Sequence, residues 1–153
     1  MFKRILVPVD GSPTSNRGLD EAIKLAKEGR AQLCVLHVVD ESVLAQNVDA
    51  GAAMVDNLLV SLRDGGRRIL DKAEAKARKQ RIKPEAVLVE NMLGGVADVI
   101  VRHAKKWRAD LIVIGTHGRR GVTRMVMGSA AEGVVRAASV PVLLVRAASR
   151  KAR

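Results

Sequence analysis

Two stretches of the 153-residue chain hold side chains and spacings suited to chemistry. The first, Pro8-Val9-Asp10-Gly11-Ser12, follows an apolar run that begins at Ile5. The second, Gly115-Thr116-His117-Gly118, follows the run Leu111 to Ile114 and leads through Arg119, Arg120 and Arg124 to Gly128-Ser129-Ala130. Glycines at 115, 118 and 128 allow positive φ and bring bare backbone N–H groups close to a ligand. A helix opening at Gly128-Ser129-Ala130 would present its first amides to an anion. This is phosphate-binding chemistry. Glycine-rich turns without a ligand are common, and loop arginines such as Arg119 commonly face water, so the position after a buried strand carries most of the weight.

Catalysis has thinner support. Hydrolysis needs a positioned base for water and a charged clamp at the leaving group, and no such convergent set appears in the sequence. His117 has two readings: a base, or a side chain that orders its loop by hydrogen bonds. Asp10, Ser12 and His117 make a poor hydrolase triad, because Ser12 lacks the Gly-x-Ser-x-Gly elbow. Ser12 followed by Pro13 reads better as an N-cap and first-turn start. The single Cys34 lies inside the apolar run Leu33 to Val39, as expected of a buried reduced thiol.

The elements that must position these residues follow from periodicity. Ile5 to Val9, Leu33 to Val39, Ala86 to Val89, Leu111 to Ile114 and Val142 to Val145 are near-continuous apolar runs. Such runs mark strands covered on both faces, the condition of a parallel sheet between helices. Leu19, Ala22, Ile23 and Ala26 give a first helix stopping at Gly29. Met54 to Ala77 gives a second, with a kink or break expected at Gly65-Gly66. Val96 to Trp107 and Ala131 to Ala138 give two more. Residues 41–53 carry no firm period and read as a mobile connection. The expected fold is therefore α/β: one doubly wound, Rossmann-like domain over 1–147, with a five-stranded parallel sheet of order 3-2-1-4-5, four helices on two faces, and a short basic tail at 148–153. Ligands of such sheets bind beyond the strand carboxyl ends where the winding reverses. Here that is between the first and fourth strands, where the two stretches would meet.

Composition narrows the partners. Apolar residues make up 48% and charged residues 28%, and no apolar stretch is long enough to span a membrane. The N-terminus lacks an export signal, so the cytoplasm is the expected location. A net charge of +11 invites anionic partners. Residues 63–83 hold nine Lys or Arg against three acids, with Asp64 to Arg68, Arg67 to Asp71 and Glu74 to Arg78 each four apart. This segment reads as a solvated helix face or as a surface for nucleic acid or an acidic partner. Near-absent aromatics, only Phe2 and Trp107, argue against single-strand readers.

The spacing Gly115-x2-Gly118-x9-Gly128-Ser129 resembles the glycine pattern of the ATP-binding branch of the universal stress protein family. The likeness runs through nearly the whole chain. It includes Ile5 to Ser12, His37-Val38-Val39, Ala109 to Gly118 and Val140 to Val145. The resemblance implies an ATP site, with adenine against Pro8, Val9 and Val38 and ribose contacted by Asp10 and Gly115. Phosphates would meet Gly118, Gly128, Ser129 and Ala130, with Ser12, Thr116, His117 and Arg119 completing the site. Asp10 accepts from a ribose hydroxyl, faces an ATP-bound magnesium ion, or closes its own turn. Ser129 donates to a phosphate, caps its helix, or both. Gly94-Gly95-Val96-Ala97 departs from the family's Gly-x-Pro-Ala and leaves the start of that helix open. The Ser-Gly-Gly-x-Asp-Ser loop of related ATP pyrophosphatases is absent, which disfavours adenylation. The expected function is a stress-response module whose nucleotide occupancy controls conformation or assembly, with at most slow ATP hydrolysis. A homodimer through the edge strand Pro141 to Arg146 is the expected assembly.

Overall fold

The computed structural model describes residues 1–91, 94–117 and 126–146. Five parallel strands form one sheet: β1 (Arg4–Pro8), β2 (Gln32–Asp40), β3 (Glu85–Asn91), β4 (Leu111–Gly115) and β5 (Val142–Val145), in the order β3-β2-β1-β4-β5. This is the expected topology. Central β1 pairs with a neighbour on each side, Ile5 lying opposite both Leu33 and Leu111.

Alternation along β1 explains why its apolar run is unbroken. Ile5, Val7 and Val9 face α1 (Pro13–Gly29) and α3 (Ala52–Lys79), packing with Leu19, Ala22, Ile23, Leu70 and Ala73. Leu6 faces the other way, with Leu36 and Ile112, toward α4 (Val96–Trp107) and α5 (Ser129–Ala137). Ile5, Leu6 and Val7 are fully buried, so neither face of the sheet centre admits a polar side chain.

Three departures from the sequence expectation have physical causes. The helices among the described residues number five, not four: residues 41–53 form the short α2 (Ser42–Ala45) and a 3₁₀ turn at Val48–Ala50. Polar side chains substitute there for apolar periodicity. Asp40 Oδ1 accepts from Ser42 N–H, and Asn47 Nδ2 donates to the Val43 carbonyl. Second, α3 runs unbroken through Gly65-Gly66. A Cβ at Gly66 would stand 2.6 Å from His37 Cδ2, so this glycine permits close packing on β2 rather than a break. Third, of the three spaced pairs on α3, only Glu74–Arg78 is an ion pair; Lys76 reaches Asp20 on α1, and Arg63 reaches Glu90 on β3. As expected, α1 stops at Gly29; its C-cap is Arg30, which takes the left-handed conformation at φ 50° and donates its N–H to Ala26 O. The helix after Gly94-Gly95 starts at Val96, with Gly95 as N-cap and Asp98 accepting from the Gly95 N–H.

Candidate functional site

The β1–α1 turn is held by its own side chains. Val9 N–H donates to Leu36 O at 2.8 Å, and the Val9 carbonyl accepts from Nδ1–H of buried His37 at 2.7 Å, which fixes that tautomer. Asp10 N–H donates to Ser15 Oγ, Ser12 N–H donates to Asp10 Oδ1 at 2.9 Å, and Ser15 N–H donates to Ser12 Oγ. Asp10 thus closes its turn and Ser12 caps α1, with Gly11 at φ 81° making the reversal.

The β4 end comes directly against this turn. Thr14 Oγ1 and Ser12 Oγ both donate to the His117 carbonyl. Gly115 is where the two elements touch most closely: a Cβ there would lie 2.7 Å from the Thr14 carbonyl carbon and 2.8 Å from the Ser15 nitrogen. Its missing side chain makes room for the start of α1. Thr116 is pinned from both sides, its N–H donating to Val145 O at 2.9 Å and its carbonyl accepting from Gly128 N–H at 2.6 Å. That second bond brings the start of α5 back to the end of β4.

Two groups in this region lack the partners their burial or position calls for. His117 Nδ1 lies 2.9 Å from Thr116 Oγ1, whereas its Nε2 is buried and has no hydrogen-bond partner among the described residues. The N-cap of α5 is Gly128, in extended backbone, with no side-chain capping bond. Ser129 is therefore not the cap but the first helical residue, with an exposed side chain, followed by half-buried Ala130. The first-turn amides of α5 are left to another acceptor. Glu132, in the same turn, pairs with Arg136 at 2.8 Å.

The sequence-derived set thus divides. Asp10, Ser12, Gly115, Thr116, His117, Gly128, Ser129 and Ala130 lie on the two facing segments at the β1 and β4 ends. Pro8 and Val9 close β1, and half-buried Val38 lies near the end of β2. Gly118, Arg119, Arg120, Arg124 and the tail 148–153 lie outside the described residues. Among the described residues no group of three His, Cys, Asp or Glu could hold a metal ion. Sequence reasoning missed the hold of His37 on Val9; the signal was a histidine inside an otherwise apolar strand. It also missed Thr14, which bridges to His117.

Burial removes the thiol from consideration. It pushes Cys34 up to about 12, so the group is a neutral packing element 3.7 Å from His103 Nε2, whose own pKa burial lowers.

Comparison with known proteins fits this frame. The model of the universal stress protein family matches residues 1–146. Universal stress protein YxiE of Bacillus subtilis is 35% identical over 151 residues, covering 95% of this chain and all of the relative. The structure of hypothetical protein MJ0577, a test case of structure-based assignment of biochemical function, superposes with a TM-score of 0.85 at 23% identity, over 97% of this chain and 99% of that one. A universal stress protein from Archaeoglobus fulgidus, solved in complex with dAMP, superposes with a TM-score of 0.65 at 24% identity, over 94% and 97%. The family model covers residues 1–146, YxiE is 35% identical over its whole length, and the sheet order agrees with the family's expected fold: the chain belongs to the universal stress protein family.

Proposed function

We propose that this universal stress protein binds an adenine nucleotide, ATP, across the junction of the β1–α1 turn and the β4–α5 segment. The observation that carries the reading is a pair of unmatched groups at one place: the uncapped start of α5, and the buried His117 Nε2, which carries the proton when Nδ1 accepts from the Thr116 hydroxyl. Both suit an anion, and a hydrogen bond from either to a phosphate oxygen contributes about 1.5–3 kcal/mol.

In this reading adenine lies against Pro8, Val9 and Val38, and the ribose hydroxyls meet Asp10 and Gly115. Phosphates take the amides of Gly128, Ser129 and Ala130, the Ser129 hydroxyl and His117, with Gly118, Arg119 and Thr116 alongside. A magnesium ion would arrive with the phosphates and meet the protein through Asp10 alone, since no metal cluster exists among the described residues. The dAMP complex of the Archaeoglobus fulgidus relative supports adenine-nucleotide chemistry in this fold.

Occupancy is the signal and turnover is at most slow. The outcome is read as assembly: Leu143 and Leu144 on edge strand β5 are exposed apolar residues, and a second copy covering Pro141 to Arg146 would bury them. The cytoplasm remains the proposed location; no helix among the described residues is long and apolar enough to cross a membrane.

Calorimetric titration with ATP tests the reading. Binding by the wild type, weakened about tenfold in Ser129→Ala, is the expected result. Undetectable binding by the wild type, or affinity undiminished from the wild type in both Ser129→Ala and Gly118→Val, overturns it.

A further inference from the structure

The β1–α1 turn has a second side. Away from β4 it forms one wall of a cleft of about 700 Å³ between α1 and α3, within the size range of small-molecule sites. Its floor is apolar, made by Val9, Leu19, Ile69 and Ala73, and Asn16 stands on the α1 side. Three cations line it, Arg68, Lys72 and Lys76, against one carboxylate, Asp10, whose Oδ1 already accepts from Ser12 N–H.

The three cations follow one another at intervals of four residues on α3, about 6 Å apart along the axis, and like charges so placed repel. Lys76 is relieved by Asp20 across the cleft. Arg68 and Lys72 form no ion pair with any described residue, although Asp64 and Asp71 are near in sequence. The pairing that the sequence offers is not taken, and both side chains border the cavity instead. A helix that keeps two unrelieved charges over an apolar floor fits an anionic ligand with an apolar body.

We propose that the α1–α3 cleft is a second ligand site for a small phosphomonoester, with its cationic clamp on α3 outside the proposed nucleotide site, although the two sites share Val9, Asp10 and Ser12 of the β1–α1 turn. The phosphate is clamped by Arg68 and Lys72, the fork of Arg68 engaging two oxygens and Lys72 acting as a point charge. The organic body lies on Leu19 and Ile69. The Arg68–Lys72 clamp takes no residue from the proposed nucleotide site, so the two readings are tested separately.

Phenyl phosphate is the probe, and ¹H–¹⁵N NMR the readout. Titration of the wild type shifts the amides of Gly11, Gly65 and Ile69 saturably. Arg68→Gln with Lys72→Gln weakens the binding at least about tenfold, since two charge-assisted contacts are lost. Both side chains are exposed, so the double variant folds. Ser129→Ala leaves the titration unchanged, as does Arg67→Gln with Arg78→Gln, which removes the same amount of charge elsewhere on α3. The proposal is overturned by a wild type that gives no saturable shift, by undiminished binding in the Arg68/Lys72 variant, by equal weakening in the Arg67/Arg78 variant, or by shifts confined to Gly128 to Ala131.

Discussion

The β1–α1 turn and the β4–α5 segment face each other, yet they are built on opposite plans. In the first, each polar group with an assigned role has an internal partner: Asp10 takes Ser12 N–H, Ser12 takes Ser15 N–H, and His37 holds the Val9 carbonyl. In the second, Thr116 is pinned on both sides while the helix behind it starts without a side-chain cap and His117 keeps a buried nitrogen unmatched. One side is a finished support and the other offers donors. The lesson is that a residue matching a ligand motif can serve the scaffold as well, as Asp10 does when one of its oxygens closes its own turn, and that unmet hydrogen-bonding capacity marks the phosphate side better than residue type.

The contact between the two plans is the most sensitive place. Gly115→Val puts a branched side chain against the Thr14 and Ser15 backbone, which cannot give way, and is expected to destabilise by about 3 kcal/mol in denaturant unfolding. A cost below about 0.5 kcal/mol would mean that α1 can slide off β4.

The support side is next. Gly66→Ala forces a methyl into the His37 ring and Leu88, and costs about 2 kcal/mol despite the gain in helix propensity. Gly65→Ala, one residue earlier with nothing within 4 Å, stabilises by about 0.5–1 kcal/mol. The same substitution at adjacent positions with opposite signs is the sharpest check that Gly66 is a packing glycine. Ser12→Ala removes the α1 cap and costs about 1 kcal/mol, whereas Ser129→Ala, at a helix whose cap is Gly128, leaves stability within about 0.5 kcal/mol.

The smallest effect is chemical. With its pKa raised from 9.0 to about 12, Cys34 contributes stability that is complete below pH 9 and is lost as pH rises toward 12, because the unfolded thiol ionises first. Native protein at pH 8 is expected to react with a thiol reagent only as fast as it unfolds; prompt labelling would contradict the buried placement.

Much of this was legible in advance. Continuous apolar runs announced strands covered on both faces, and strand–helix alternation announced the sheet order, because burial and handedness act on patterns that composition carries. The facing of Asp10-Gly11-Ser12 and Gly115-Thr116-His117 followed from topology alone. What stayed hidden depends on contacts across the fold. Gly66 looked like a helix breaker because its reason is a histidine on β2. Gly115 looked like a ligand-approach glycine because its neighbour, the start of α1, is 100 residues away in sequence. Residues 41–53 looked featureless because Asp40 and Asn47 organise them through polar bonds rather than apolar spacing.

The central claim, that the unmatched donors of the β4–α5 segment hold nucleotide phosphates while the β1–α1 turn supports them, is tested most directly by titrating ATP into His117→Leu and the wild type. Loss of about tenfold or more in affinity, with unfolding stability held within about 1 kcal/mol, is the predicted result. Unchanged ATP affinity in His117→Leu, at preserved stability, would contradict it.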